Sequence, residues 1–497
     1  TFRNHYIGSA VCTPSRALFF TGQPPQVNGV YDHLAFGFVP SMNPDLPNMG
    51  SILKGMGYKT AYFGKCELNT KILAAGRKEN TTTWLQPYGF DVYNADGDNH
   101  GGIYDGFAED PYIASAGIRW LRSNVPQFRK TGEPFFMVMS LVNPHDIMFA
   151  DANVPGPPRA QTPLAPALIA PPPKAAIYEK RWDFKLPPSV QENLKDPAMP
   201  AAIHEYDRAW AGVVGSIPGV RKDMWYAYCN YYLNCLRDSD RTLQQVWDAL
   251  DDMDMWKDTV VVLTADHGDM AGTHGLRGKG PLCYENNAHV PLVIAHPDAK
   301  GGKSCSALTS HLDLVPTFVG LTALPAEKRP EVVKKLPGRD FAKLLADPEK
   351  SAVHAVRPGV LFNYVSLTTV DADYYIRSFA LMAQGKRAPN ITEVNVNKRG
   401  FLAFTFDGRY KLGRFYAPNA FNTPKTFDKL FKHNDVQVFD LKNDPEEVQN
   451  LAVDRQKHKD TILRLNDLLN DLMAREVGVN DGRFLPEAVR PKKGPLD

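Results

Sequence analysis

Two uninterrupted apolar runs, each ending abruptly in a cluster of polar residues, constrain the fold of this chain more than anything else in it. Phe135-Phe136-Met137-Val138-Met139-Ser140-Leu141-Val142 runs into Asn143-Pro144-His145-Asp146. Thr259-Val260-Val261-Val262-Leu263-Thr264-Ala265 runs into Asp266-His267-Gly268-Asp269. A strand that is apolar on both sides suits a parallel sheet covered on both faces. Polar residues just past the carboxyl end of such a strand stand where α/β folds assemble their sites. Helical segments alternate with the strands, at 113–123 and at 223–250, the second with apolar residues at helical spacing. The expected fold class is α/β: a doubly wound, mixed but largely parallel sheet flanked by helices, with a smaller C-terminal α+β unit.

The chain changes character twice more. Between 150 and 200, Pro171-Pro172-Pro173 and Pro187-Pro188 punctuate an Ala/Pro-rich stretch that cannot hold regular structure. An insertion of this kind reads as a lid or pocket wall. After about residue 385, Phe401-Leu402-Ala403-Phe404-Thr405-Phe406, then Asp407-Gly408, then Arg409-Tyr410-Lys411-Leu412 read as a hairpin closed by an Asp-Gly turn. A strand at 437–441 follows, then a helix carrying Ile462, Leu463, Leu465, Leu468, Leu469 and Leu472. The expected division is an α/β domain over 1–385, with 150–200 as its loop, and a small α+β domain over 386–497 with an extended tail from Asn480.

Composition excludes more than it assigns. With 497 residues the chain is too long for one small core. A net charge of +2 gives no footprint for nucleic acid, so anion recognition must be local. No apolar run approaches the ~18 residues of a membrane span. The first residues, Thr1-Phe2-Arg3-Asn4-His5-Tyr6, lack the apolar stretch of a signal peptide. The six cysteines form no C-x-x-C pair and read as free thiols, which favours the cytoplasm over the periplasm or the exterior. A homo-oligomer is left open.

Five short segments carry candidate chemistry. Cys12-Thr13-Pro14-Ser15-Arg16, followed by Ala17-Leu18-Phe19-Phe20-Thr21-Gly22, sets a cysteine and an arginine four residues apart. Alone it reads as a buried thiol near a helix start, where Pro14 is well tolerated. Asp266-His267-Gly268-Asp269 offers a carboxylate and an imidazole after a strand, as a metal site or a plain turn. Lys279, in Gly278-Lys279-Gly280, is a compact charge suited to an oxyanion, though most loop lysines are simply solvated. His145 follows the other apolar run, and its near-neutral pKa suits proton transfer. Lys65 and Glu67 close the strand Gly57-Tyr58-Lys59-Thr60-Ala61-Tyr62-Phe63-Gly64.

Together these segments resemble the type I, formylglycine-dependent sulfatases of the alkaline-phosphatase-like superfamily. Further landmarks agree in order: Tyr88-Gly89-Phe90-Asp91, Leu312-Asp313-Leu314-Val315-Pro316-Thr317 and Phe439-Asp440-Leu441-Lys442-Asn443-Asp444-Pro445. The resemblance implies hydrolysis of a small-molecule sulfate ester to an alcohol and sulfate. It implies that a modifying enzyme oxidises Cys12 to formylglycine. One hydroxyl of the hydrated aldehyde would attack sulfur, and the second would later expel sulfate. Arg16 would hold the modified residue. Lys65, His145 and Lys279 would bind the sulfate, with His145 the acid for the leaving oxygen. Asp266, His267 and residue 12 would hold a divalent metal, with calcium the first expectation and manganese the second because His267 offers nitrogen.

The chain also departs from the pattern. Glu67 stands where the family has histidine, and a carboxylate beside a sulfate repels it. Either Glu67 is protonated, or it points away, or the hydrolysis step is organised differently. Family members carry an apolar strand tipped with paired aspartates upstream of the cysteine, and Thr1 lies too close to Cys12 to leave room for it. That is expected to reflect an incomplete chain. Two other readings stand beside the first. One is a phosphonate monoester or phosphodiester hydrolase of the same superfamily. The other is a non-catalytic binder of sulfated ligands.

Overall fold

The computed structural model describes residues 1–73, 81–94, 101–155, 159–492 and 494–496. Its strands are β1 (Phe2–Tyr6), β2 (Lys59–Gly64), β3 (Val92–Asn94), β4 (Phe135–Ser140), β5 (Val261–Thr264), β6 (Leu292–Ala295), β7 (Cys305–Ser310), β8 (Val360–Tyr364), β9 (Phe401–Phe406), β10 (Tyr410–Tyr416) and β11 (Asp435–Asp440). They form three sheets, in the orders β5-β6-β1-β7, β3-β2-β4 and β11-β10-β9-β8. The second sheet is wholly parallel and the third wholly antiparallel. The first is mixed: β1 runs parallel to β7 but antiparallel to β6, and β5 runs antiparallel to β6. The architecture is therefore mixed α/β with a separate antiparallel sheet.

The apolar run at 259–265 forms β5, but its one neighbour is antiparallel, against the expectation of a parallel strand. Continuous apolarity reports burial on two faces and says little about strand direction. Both β4 and β5 are edge strands, and every residue in them is only partly covered. Both line one apolar cavity of about 570 Å³, together with Leu121, Val125, Val246 and Phe318. The aspartate-tipped strand implied by the resemblance has no counterpart among the described residues; β1 carries no aspartate.

Long helices support the sheets. Asp105–Thr131 covers β2 and β4, and Lys222–Asp252 packs against it. The Ala/Pro-rich stretch has only short 3-10 turns and is strapped along the second helix. Tyr178 Oη donates to Asp238 at 2.8 Å, Trp182 Nε1 to Asn234 at 2.8 Å, and Asn230 Nδ2 to the Lys180 carbonyl at 3.1 Å. Its positions 156–158 lie outside the described residues. The third sheet carries the Asp-Gly hairpin as β9 and β10 and is covered by helix Lys459–Glu476 through Ile462, Leu465, Leu469 and Leu472. It also recruits β8, from before residue 386. Buried Lys411 ties this sheet to the rest, pairing with Glu285 at 2.6 Å and Glu447 at 2.7 Å.

Candidate active site

Helix α1 (Cys12–Thr21) starts at the cysteine. One helical turn brings Cys12 and Arg16 to the same face, since residues four apart are neighbours on a helix. Arg16 then gathers three strand ends. Its Nη1 donates to the Lys65 carbonyl past β2 and to Ser140 Oγ at the end of β4, both at 2.8 Å. Its Nε faces the Asp266 carboxylate past β5 at 2.9 Å. Ser15 Oγ donates to the Asp266 carbonyl. The polar residues that end the apolar runs thus converge on the start of one helix.

The remaining residues close around Cys12. His267 Nε2 lies 3.1 Å from its Sγ, and Lys65 Nζ lies 3.7 Å from it. His267 Nδ1 donates to the Gly268 carbonyl at 2.8 Å, so Nε2 is the nitrogen turned to the cysteine. Opposite, Lys279 Nζ donates to His145 Nε2 at 3.1 Å and approaches Met148 Sδ at 3.7 Å. The loop that carries Lys279 is pinned on both sides. Asp269 accepts from the Gly278 N–H, and Asn287 accepts from the Gly280 N–H while donating to the Gly280 carbonyl. All seven residues singled out in the sequence (Cys12, Arg16, Lys65, His145, Asp266, His267, Lys279) come together here.

The electrostatics follow from burial and proximity. Burial alone would raise the Cys12 thiol; Lys279, Lys65 and His267 outweigh it and bring the group to about 6. Burial resists ionisation of Asp266, but Arg16 and His267 hold its carboxyl well below the usual range. His145 is held well below its ordinary value by burial and by the charge of Lys279, so its imidazole is neutral. His267 goes the other way: Asp266 and Cys12 outweigh burial and raise it.

That last shift tests the fit of a metal. Cys12, Asp266 and His267 present ligand atoms that all lie within 4.8 Å of one another. Their anionic charge already raises the proton affinity of His267 against burial, and a divalent cation meets the same attraction. The set fits a cation that accepts nitrogen and oxygen.

Sequence reasoning missed three contributors and left a fourth, Glu67, open. Ser140 was visible as the only polar residue inside its apolar run. Gly101 stands so close that a Cβ there would lie 2.2 Å from His145 Nδ1. His33 reaches the site from a 3-10 turn with no motif around it. Glu67, the departure from the family pattern, neither points away nor is protonated. It is fully buried, pairs with Lys65 at 2.9 Å, accepts from Thr13 Oγ1 at 3.0 Å and faces His33 at 3.6 Å. Burial resists its charge, but Lys65 and His33 hold it well below the ordinary carboxylate range.

A sequence model of the sulfatase family matches residues 1–324. The chain belongs to the sulfatase family. An uncharacterized sulfatase of Escherichia coli, YidJ, is 27% identical over 363 residues, covering 68% of this chain and 63% of that relative. The chain thus spans less than two thirds of that relative's length. The fold is shared with a 2-O GAG sulfatase, at a TM-score of 0.62 and 20% identity over 99% of this chain and 90% of that one. It is shared equally with a phosphonate monoester hydrolase from Silicibacter pomeroyi, at 0.60 and 19% over 97% and 89%.

Proposed function

We propose that this sulfatase-family chain hydrolyses a small sulfate ester to an alcohol and sulfate, with Cys12, as formylglycine, providing the nucleophile. The observation that carries the reading is the position of Cys12. It stands at the start of α1 between His267, 3.1 Å away, and Lys65, 3.7 Å away, with Lys279 and His145 across the pocket. A hydrated formylglycine supplies two hydroxyls, one to attack sulfur and one to expel sulfate. A divalent metal held by Asp266, His267 and residue 12 supplies positive charge that favours the deprotonated hydroxyl.

The chain's own residues do the rest. Lys65 and Lys279 present ammonium groups to the ester oxygens, where fixed charge in a dry pocket lowers the barrier. Arg16 does not face the pocket with its whole charge, because Asp266 takes it; its role is to fix residue 12 against the three strand ends. His145 is the acid for the leaving oxygen. In the free site it is neutral and accepts from Lys279. An anion bound against Lys279 offsets that cation, raises the proton affinity of the imidazole and lets a proton pass through it.

A second reading, hydrolysis of phosphonate monoesters or phosphodiesters, is favoured by one observation. The pocket presents an Asp-His pair for the metal, and a phosphonate monoester hydrolase shares this fold. A non-catalytic binder would have no use for an oxidisable cysteine at the centre of the pocket.

The test joins conversion to turnover. Peptide mass spectrometry across residues 7–16 reads the fraction of Cys12 converted, and nitrophenyl sulfate and a nitrophenyl phosphonate read activity side by side. Specific activity on the sulfate ester is expected to rise with conversion, to vanish on exhaustive chelation, and to return with manganese at least as well as with calcium. Full activity of unconverted protein, or turnover by Cys12→Ala, would overturn the mechanism. Faster turnover of the phosphonate would establish the second reading.

A further inference from the structure

Glu67 is the residue of this pocket that works against an anion, and the fold holds it there. It sits at φ 54°, in the left-handed region that non-glycine residues seldom occupy. Its carboxylate is fixed by Lys65, Thr13 and His33 at 2.9, 3.0 and 3.6 Å. The cations of the pocket are therefore not equal. Arg16 faces Asp266, and Lys65 faces Glu67. Lys279 faces a neutral imidazole and has no carboxylate partner among the described residues.

This pairing bears on the charge of what binds. Hydrolysis converts a monoanionic sulfate ester and water into an alcohol, a sulfate dianion and a proton. The product therefore carries one more negative charge than the reactant. A pocket whose charge grows by one on removing a carboxylate holds the dianion more tightly by more than it holds the monoanion, because the interaction scales with the ligand's charge.

We propose that Glu67 is a charge-selectivity residue: resting on the reading of this site as a sulfate-ester pocket, its carboxylate offsets part of the charge of Lys65 and so weakens the pocket's hold on the doubly charged inorganic sulfate more than its hold on the singly charged ester. Glu67 acts through Lys65 and touches no reacting atom. The same offset weakens the hold on doubly charged phosphate monoesters.

Calorimetric titration of the metal-loaded full chain with two probes, inorganic sulfate and methanesulfonate, separates this role from mere support of Lys65. Both probes present a tetrahedral sulfur with three terminal oxygens, the fourth position being oxygen in the first and methyl in the second, and the first is a dianion and the second a monoanion. In Glu67→Gln, sulfate is expected to bind about tenfold more tightly relative to methanesulfonate, as one added charge in a buried site warrants. Product inhibition of nitrophenyl sulfate turnover should strengthen in step. Glu67→Asp should keep the wild-type preference. A folded Gln variant in which both affinities move together, or neither moves, overturns the proposal.

Should the Gln variant not fold, the wild type still decides. Phosphate passes from monoanion to dianion between about pH 6 and about pH 8. Its affinity, taken relative to methanesulfonate at each pH, should rise by less than about threefold across that interval, because Glu67 offsets most of the added attraction for the dianion, and a larger strengthening overturns the proposal. These titrations need no turnover, so a metal-loaded protein with Cys12 converted that is still inactive on sulfate and phosphonate esters would refute the hydrolase reading while leaving the charge measurement intact.

Discussion

Cys12 is a thiol whose surroundings reverse the usual effect of burial. Burial normally suppresses a thiolate, as at Cys229, where burial and the nearby Asp269 push the thiol up to about 12. At Cys12 burial and Glu67 push the thiol up, and the cations Lys279, Lys65 and His267 together win over them. A thiol of this kind is poised as thiolate at neutral pH. In metal-free protein whose Cys12 is unconverted, thiolate ultraviolet absorbance should therefore show a titration with a midpoint of about 6 that is absent from Cys12→Ala. The directions follow from charge. Lys279→Ala removes a cation and should move the midpoint up. Glu67→Gln removes an anion and should move it down. A midpoint at an ordinary thiol value of about 8.5 would mean that the three cations do not converge on Cys12.

Loops at strand ends do the positioning, and their glycines set the tolerance. Gly278 has φ +71°, and a Cβ there would lie 2.6 Å from the Trp210 ring, so the residue before Lys279 admits no side chain. Gly278→Ala should leave the sheets intact but shift Lys279, and a displacement of about 1 Å costs about a hundredfold in turnover. Unchanged kcat/KM in a folded variant would show that the loop relaxes without moving the lysine. These loops also mark what could be read in advance. The strand ends at His145 and Asp266 were legible because a buried strand that stops at a polar cluster has reached the rim of its sheet, where side chains can meet a ligand. So were Cys12 with Arg16, at a spacing that needs only one helical turn. The hairpin of β9 and β10 was legible from its Asp-Gly turn. The direction of β5 was not, because antiparallel pairing with β6 depends on a loop route that apolarity does not encode. Nor was the contact of Glu67 with His33 and Thr13, which joins three segments far apart in the chain and exists only once α1 is docked.

Across the whole molecule, one buried cluster couples the antiparallel sheet to the pocket. Lys411 on β10 has no exposed side-chain surface and binds both Glu285 and Glu447. Glu285 also accepts from Tyr6 Oη at 2.8 Å, at the end of β1, and its own N–H donates to Glu447 at 2.7 Å. Glu285 lies a few residues past Lys279, so the cluster fixes the far end of the loop that carries this lysine. Lys411→Met keeps much of the volume but leaves two carboxylates buried without their cation, and breaking a buried pair in this way costs about 3–5 kcal/mol. The loss should depend on pH with a definite sign. Without Lys411 the two carboxyls, still buried, hold their protons to a higher pH than the unfolded chain does, where a glutamate titrates at about 4.3. The folded variant then binds more protons than its unfolded state, so its stability falls as pH rises through that interval. In the wild type Lys411 holds Glu285 below its ordinary value against burial, while Glu447 is raised by burial with Lys411 opposing. Urea unfolding at several pH values should therefore show the wild type ahead by the full amount near about pH 8, and the gap closing as the pH approaches about 5. A gap that stays constant over that range would mean that water or a rearranged side chain replaces Lys411, and that the two carboxylates do not depend on it for their charge.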